Sequence, residues 1–119
     1  MTNYQPIDLA FQALGDPTRR AVVERLARGP ASVSELAAPL SMSLPSVMQH
    51  LAVLEAGGLI RSEKIGRVRT CHIQPRALQA AERWINERRQ MWERNFDRLA
   101  DYLDDTDPEK PKAAKGRKP

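Results

Sequence analysis

Residues 34–69 leave few choices of fold, because two short helical patterns separated by a three-residue turn run straight into a pair of basic strands. Ser34 is expected to cap the first pattern, residues 35–40, whose apolar side is Leu36, Ala37 and Leu40. Pro39 sits late in it and shortens it, since proline removes a helical donor. Ser41, Met42 and Ser43 make the turn. Ser43 or Leu44 then precedes Pro45, a cap followed by a proline in the first turn, where its missing N–H costs nothing. The second pattern extends to Glu55 or Ala56 and stops at Gly57 and Gly58. Val47, Leu51 and Leu54 recur at i, i+4 and i+7 and so face a core, with Ser46, Gln49, His50 and Val53 on the other side. Alternating runs at 59–64 and 68–73 around Gly66 predict a β-hairpin.

The flanks add three helices. Ile7, Leu9 or Ala10, Phe11 and Leu14 keep helical spacing up to Gly15. Asp16 and Pro17 then cap and open a helix over 17–28, with Ala21, Val22, part of Val23 and Leu26 as its buried stripe. Arg19, Arg20, Glu24 and Arg25 point toward solvent or a ligand. Pro75 opens a long helix, residues 76–105, on which Leu78, Ala81, Ile85, Trp92, Phe96, Leu99 and Leu103 recur at helical intervals. A second stripe of Trp84, Met91 and Tyr102 widens the apolar band. At about 1.5 Å per residue this rod is roughly 42 Å long, too long to bury against so small a body, so part of the band is expected to meet another subunit. From Thr106 onward three prolines, five basic residues and no large apolar residue predict a disordered basic tail, 106–119.

Helix, turn, helix and hairpin in this order read as a winged helix-turn-helix, mainly α with a small β-hairpin. Such a unit lays its second helix in the major groove of duplex DNA, N-terminal residues toward base edges. Ser46, Gln49 and His50 are the natural readers: Gln pairs bidentately with adenine, Ser serves a donor or an acceptor, and His donates to guanine or phosphate. The plainer alternative is the solvated face of a core helix, and the capped helix before and the cationic hairpin after argue against it. In that hairpin Arg61, Lys64, Arg67 and Arg69 stand beside the single acid Glu63. A wing of this charge tracks the backbone, and Arg67, next to Gly66, is the favoured tip residue for a narrow minor groove. An ordinary hairpin kept soluble by its charges remains the alternative. Arg19 and Arg20 are expected to touch phosphate, with pairing of one of them to an acid of the same subunit as the equal alternative.

Bulk charge says less than clustering. The chain of 119 residues carries a net charge of +4, of which +3 falls in the tail. Lys110, Lys112, Lys115, Arg117 and Lys118 there either add nonspecific phosphate attraction or are simply solvated. Cys71 is the only cysteine, so no intrachain disulfide forms. With no secretory leader pattern and no apolar run of about 20 residues, the expectation is a soluble cytoplasmic protein without a membrane partner. An enzyme using Cys71 as nucleophile lacks a base, since His72 projects to the opposite face of the strand. The same opposition prevents the pair from chelating one metal ion. Cys71 is read as a small buried hydrophobe, and no catalytic group, cofactor or metal site is assigned.

The chain resembles the ArsR/SmtB family of bacterial winged-helix repressors over about residues 7–104. The resemblance is carried by Ala13-Leu14-Gly15-Asp16-Pro17-Thr18-Arg19-Arg20, Ser34-Glu35-Leu36-Ala37, Ser46-Val47-Met48-Gln49-His50-Leu51-Ala52-Val53-Leu54, Ala56-Gly57-Gly58-Leu59-Ile60 and Gly66-Arg67. It implies a homodimer built from the first and last helices, here through Phe11, Leu14, Trp84, Ile85, Met91, Trp92, Phe96 and Leu99. It also implies binding to an imperfect inverted repeat, repression of transcription, and reading by Ser46, Gln49 and His50 with the wing alongside. Residues 1–105 would form the DNA-binding and dimerisation domain. Metal-sensing members have cysteines where this chain has Ala37 and Pro39, and a second family site needs a histidine after His72, where there is none. Met48 occupies a place where many relatives have serine. Trp84, Trp92 and the Arg88-Arg89 pair resemble the metal-independent branch, whose members are often autoregulators. The rival from another class is a winged helix that docks protein rather than DNA, which would favour an apolar or acidic recognition face.

Overall fold

The computed structural model describes residues 5–106, so the expected basic tail lies, from residue 107 on, outside the described residues. Among these residues the order is α1 (Pro6–Leu14), α2 (Pro17–Ala27), β1 (Ala31–Ser32), α3 (Val33–Ala37), α4 (Leu44–Ala56), β2 (Ile60–Ile65), β3 (Val68–Ile73) and α5 (Pro75–Thr106). Two compact units divide between Arg83 and Trp84. No helix among the described residues is long and apolar enough to cross a membrane.

Helix starts follow local chemistry. The Asp16 carboxylate accepts the Arg19 N–H at 3.1 Å ahead of Pro17, and Ser43 accepts the Ser46 N–H at 3.3 Å ahead of Pro45. The cap of α3 is Ser32, not Ser34. Ser32 Oγ accepts the Glu35 N–H at 3.1 Å while Glu35 Oε1 accepts the Ser32 N–H at 2.8 Å. This reciprocal box satisfies two orphan donors, which a lone serine at position 34 would not. Those backbone bonds hold the Asp16 and Glu35 carboxyls below the ordinary carboxylate range. Their contribution to stability is present above that range and is lost as falling pH protonates them. α3 also ends earlier than expected, at Ala37 rather than Leu40, because Pro39 has no N–H to offer the Glu35 carbonyl.

The expected hairpin is part of a larger sheet. β1 joins it in the order β1-β3-β2, all antiparallel, with Ala31 opposite Cys71 and Ser32 opposite Thr70. The turn between β2 and β3 places Gly66 at φ +65°, a left-handed conformation that costs glycine nothing. One core fills the first unit: Leu26, Leu36, Val47, Leu51, Leu54, Leu59, Ile60 and Cys71 are all buried. Cys71 is the small buried hydrophobe expected of it, and burial pushes its thiol pKa up, away from nucleophilic use. On α2 the buried stripe is Val22, Val23 and Leu26, whereas Ala21 is exposed. Ala21 lies some 100° before Val22 around the helix, on the far side from Val23.

Val53, expected on the solvated side of α4, packs in part against this core. The reason lies one turn along, at Gly57. A Cβ there would stand 2.9 Å from the Leu9 carbonyl oxygen and 3.2 Å from Ala13 Cβ, so α1 covers this flank of α4. The φ of −80° at Gly57 suits any residue; space is what demands glycine. Gly57→Ala is therefore expected to lower stability by about 1–3 kcal/mol through overpacking. Urea unfolding would show it as an earlier midpoint with an unchanged slope. An unshifted midpoint would mean that α1 gives way freely.

Candidate nucleic-acid interface

Three elements of the first unit meet around the exposed side of α4. The buried row Val47, Leu51 and Leu54 fixes the rotation of that helix, and the same rotation leaves Ser46 and Gln49 exposed and His50 half-buried. The cap prepares Ser46 for donation. Ser43 Oγ donates to Ser46 Oγ at 3.0 Å while accepting the Ser46 N–H, so the Ser46 hydroxyl proton is directed elsewhere. Gln49 keeps its amide in solvent, with both a donor and an acceptor to offer. Met48, 40 % exposed, stands on the rim of a small cleft that α4 forms with β2 and β3, with Cys71 at its floor.

The wing divides its cations into two kinds. Among the described residues Lys64 and Arg67 have no hydrogen-bond or ion-pair partner, which leaves both free for phosphate. Arg69 is differently placed. Its Nη1 donates to Ser62 Oγ at 3.0 Å, and that hydroxyl donates to Glu55 Oε1 at 3.4 Å. The chain Arg69–Ser62–Glu55 ties the wing to the C-terminal end of α4. Register explains it: Lys64 faces Arg69 and Ser62 faces Cys71, so Ser62 is a diagonal neighbour that a long side chain can reach. On the other face of the hairpin Arg61 lies 4.0 Å from Glu63, whose Oε2 is also 3.1 Å from His72 Nε2. That histidine contact has ion-pair distance without hydrogen-bond alignment.

Arg19 and Arg20, expected at phosphate with one of them alternatively beside an acid, both reach onto the end of α1, and Arg19 also interacts electrostatically with the Asp16 carboxylate. Arg20 Nη1 donates to the Leu14 carbonyl at 2.8 Å. Arg19 Nε donates to the Ala13 carbonyl at 2.8 Å and its Nη2 to the Gln12 carbonyl at 3.2 Å. These carbonyls belong to the last turn of α1, where helical partners run out and a cation is favoured. The third nitrogen, Nη1, lies 3.2 Å from His50 Nδ1. Sequence reasoning missed both linkages, Arg19 to His50 and Arg69 through Ser62 to Glu55. The diagonal pairing in the hairpin was the one signal that pointed to either.

The residues expected at a subunit contact fall in both units. Phe11 and Leu14 are half-buried on α1, Leu14 against the core. In the second unit Trp84, Ile85, Met91, Trp92, Phe96 and Leu99 are all exposed on α5. The Trp92 and Phe96 rings stack at 5.1 Å, and the Arg88 guanidinium carbon sits 4.5 Å from the Trp84 ring centroid.

Comparison with known proteins agrees with this geometry. A family model described as a helix-turn-helix domain matches residues 14–63. Over 104 residues the chain is 40% identical to the HTH-type transcriptional regulator Rv2034 of Mycobacterium tuberculosis, covering 87% of this chain and 94% of the relative. Among solved structures, a crystal structure of an ArsR family transcriptional regulator is 54% identical, with a TM-score of 0.72 over 75% of this chain and 98% of that one. An ArsR-like transcriptional regulator from Rhodococcus sp. RHA1 is 27% identical, with a TM-score of 0.78 over 86% of this chain and 94% of its own.

Proposed function

The chain belongs to the ArsR/SmtB family of winged helix-turn-helix transcriptional regulators, and from that premise we propose that it acts as a homodimeric repressor on an inverted-repeat operator. The observation that carries the reading is the two-sided α4, with a fully buried apolar row behind and Ser46 and Gln49 in solvent at its capped N-terminal end. In this reading α4 enters the major groove, where Ser46, Gln49 and His50 meet base edges. Lys64 and Arg67 bind phosphate or the minor groove from the wing. Arg69 serves chiefly to hold the wing to α4. The partner surface comprises Phe11 and Leu14 of α1 and the exposed apolar row of α5, within a DNA-binding and dimerisation domain of residues 1–105. Two-fold symmetry then sets the two copies of α4 about 34 Å apart, one turn of the duplex. Such an operator is met in the cytoplasm.

Titration with promoter DNA at several salt concentrations tests the assignment. Affinity is expected to fall steeply with salt, as counterion release requires. Gln49→Ala is expected to cost about 1–3 kcal/mol of discrimination per half-site, whereas Arg67→Ala weakens all sequences alike and lowers the salt slope by about 1 per protomer. If Gln49→Ala, His50→Ala and Arg67→Ala all bind as the wild type does, these residues do not read DNA.

A further inference from the structure

We infer that Arg19 is a positioning residue for base reading: it holds His50 in the one tautomer that presents an Nε2–H donor to the DNA. The inference rests on the reading of His50 as a groove residue. Two of the three contacts of the guanidinium are carbonyls of α1, Ala13 at 2.8 Å and Gln12 at 3.2 Å. They fix its plane. α1 has no basic residue of its own in its last turn, so Arg19 supplies the cation that end lacks. The backbone N–H of Arg19 is held in turn by Asp16 at 3.1 Å, so main chain and side chain are both anchored.

The remaining nitrogen faces His50 Nδ1 at 3.2 Å. A guanidinium has only donors and stays charged, so this contact is a hydrogen bond only when Nδ1 carries no proton. A neutral imidazole with a bare Nδ1 carries its proton on Nε2. Nε2 has no hydrogen-bond partner among the described residues, and the Asp16 carboxylate acts on the ring only electrostatically. His50 therefore offers a donor, which suits guanine O6 and N7 or a phosphate oxygen and opposes the amino groups of adenine and cytosine. Gln49 beside it presents donor and acceptor together and cannot make that distinction alone. Arg19 thus selects a base without touching it. Because the same guanidinium grips α1, it also joins the end of that helix to the reading row of α4.

Long-range 15N correlation spectra of the free, full-length protein test this directly. The wild type is expected to show His50 with a protonated Nε2 and a bare Nδ1. Arg19→Ala is expected to give a mixture of tautomers and, on DNA, a loss of discrimination on the order of tenfold to a hundredfold at one base pair. Its salt slope is expected to match that of the wild type, and Arg19→Ala with His50→Ala to discriminate no worse than His50→Ala alone. A drop in salt slope of about 1 per protomer with the tautomer unchanged would instead make Arg19 a phosphate contact and overturn the inference. A protonated Nδ1 at His50 in the free wild type overturns it too, whether or not any Arg19 variant folds. Undiminished discrimination in His50→Ala, with the tautomer set as expected, removes the reading beneath it and leaves only the Arg19–His50 contact.

Discussion

Trp92→Asp combined with Phe96→Asp is expected to yield a folded monomer whose affinity for an inverted repeat is about 10²–10⁴-fold weaker than that of the wild type. The argument begins with exposure. Trp92 is 61% exposed and Phe96 56%, with Leu99, Met91 and Trp84 beside them on α5. A run of large apolar side chains on one helix is the mark of a surface that another molecule covers. Half-exposed rings of this kind have roughly 100 Å² each left to bury, or about 2–3 kcal/mol per ring. In the proposed dimer, two copies place four such rings at one contact. Aspartate removes that gain and puts a carboxylate where a dry surface is wanted, at a cost of several kcal/mol per buried charge.

The fold survives the change because the two rings lie outside the core of the first unit. Circular dichroism should therefore match the wild type, while sedimentation shows half the mass. The loss on DNA follows from linkage. In a dimer the second half-site is bound at the effective concentration set by the first, and a monomer must bind each half-site from solution. A variant that still sediments as a dimer would remove α5 from the proposed interface.

Much of this molecule was legible because its signals are local. Asp16-Pro17 and Ser43-Leu44-Pro45 carry their own start chemistry, and Val47, Leu51 and Leu54 declare a buried row by spacing alone. The α3 cap was legible but misassigned: Ser32 and Glu35 stand at the spacing of a capping box, which outweighs a closer serine. β1 was not legible. Two residues cannot display an alternation, and their partners Thr70 and Cys71 lie far along the chain. The cations of the proposed site illustrate the same limit. Arg19, Arg20, Arg67 and Arg69 are alike in composition, yet three of them are held by particular oxygens that only the folded chain brings near. Charge counting shows where cations cluster, and hydrogen-bond geometry decides which of them remain available.

Leu54→Ala is the second large effect, expected to cost about 2–5 kcal/mol of folding free energy. Leu54 has no exposed surface and lies among Leu26, Val47, Leu51, Leu59 and Ile60, so truncation leaves a cavity where α4 meets the sheet. Small domains have about 5–15 kcal/mol in all, so this single change removes a large part of the margin. Denaturant unfolding would show it as a much earlier midpoint. Its value for function is the contrast it makes with Gln49→Ala. Leu54 holds α4 from behind and Gln49 faces solvent on the same helix, so one change acts on how much protein is folded and the other on what the folded protein recognises. Leu54→Ala should lower the active fraction while the folded remainder keeps the wild-type order of preference among DNA sequences. Gln49→Ala should leave the unfolding midpoint in place and flatten that order. If Leu54→Ala reorders the preferred sequences without loss of stability, then the buried row does not fix the rotation of α4, and the separation between the two sides of this helix fails.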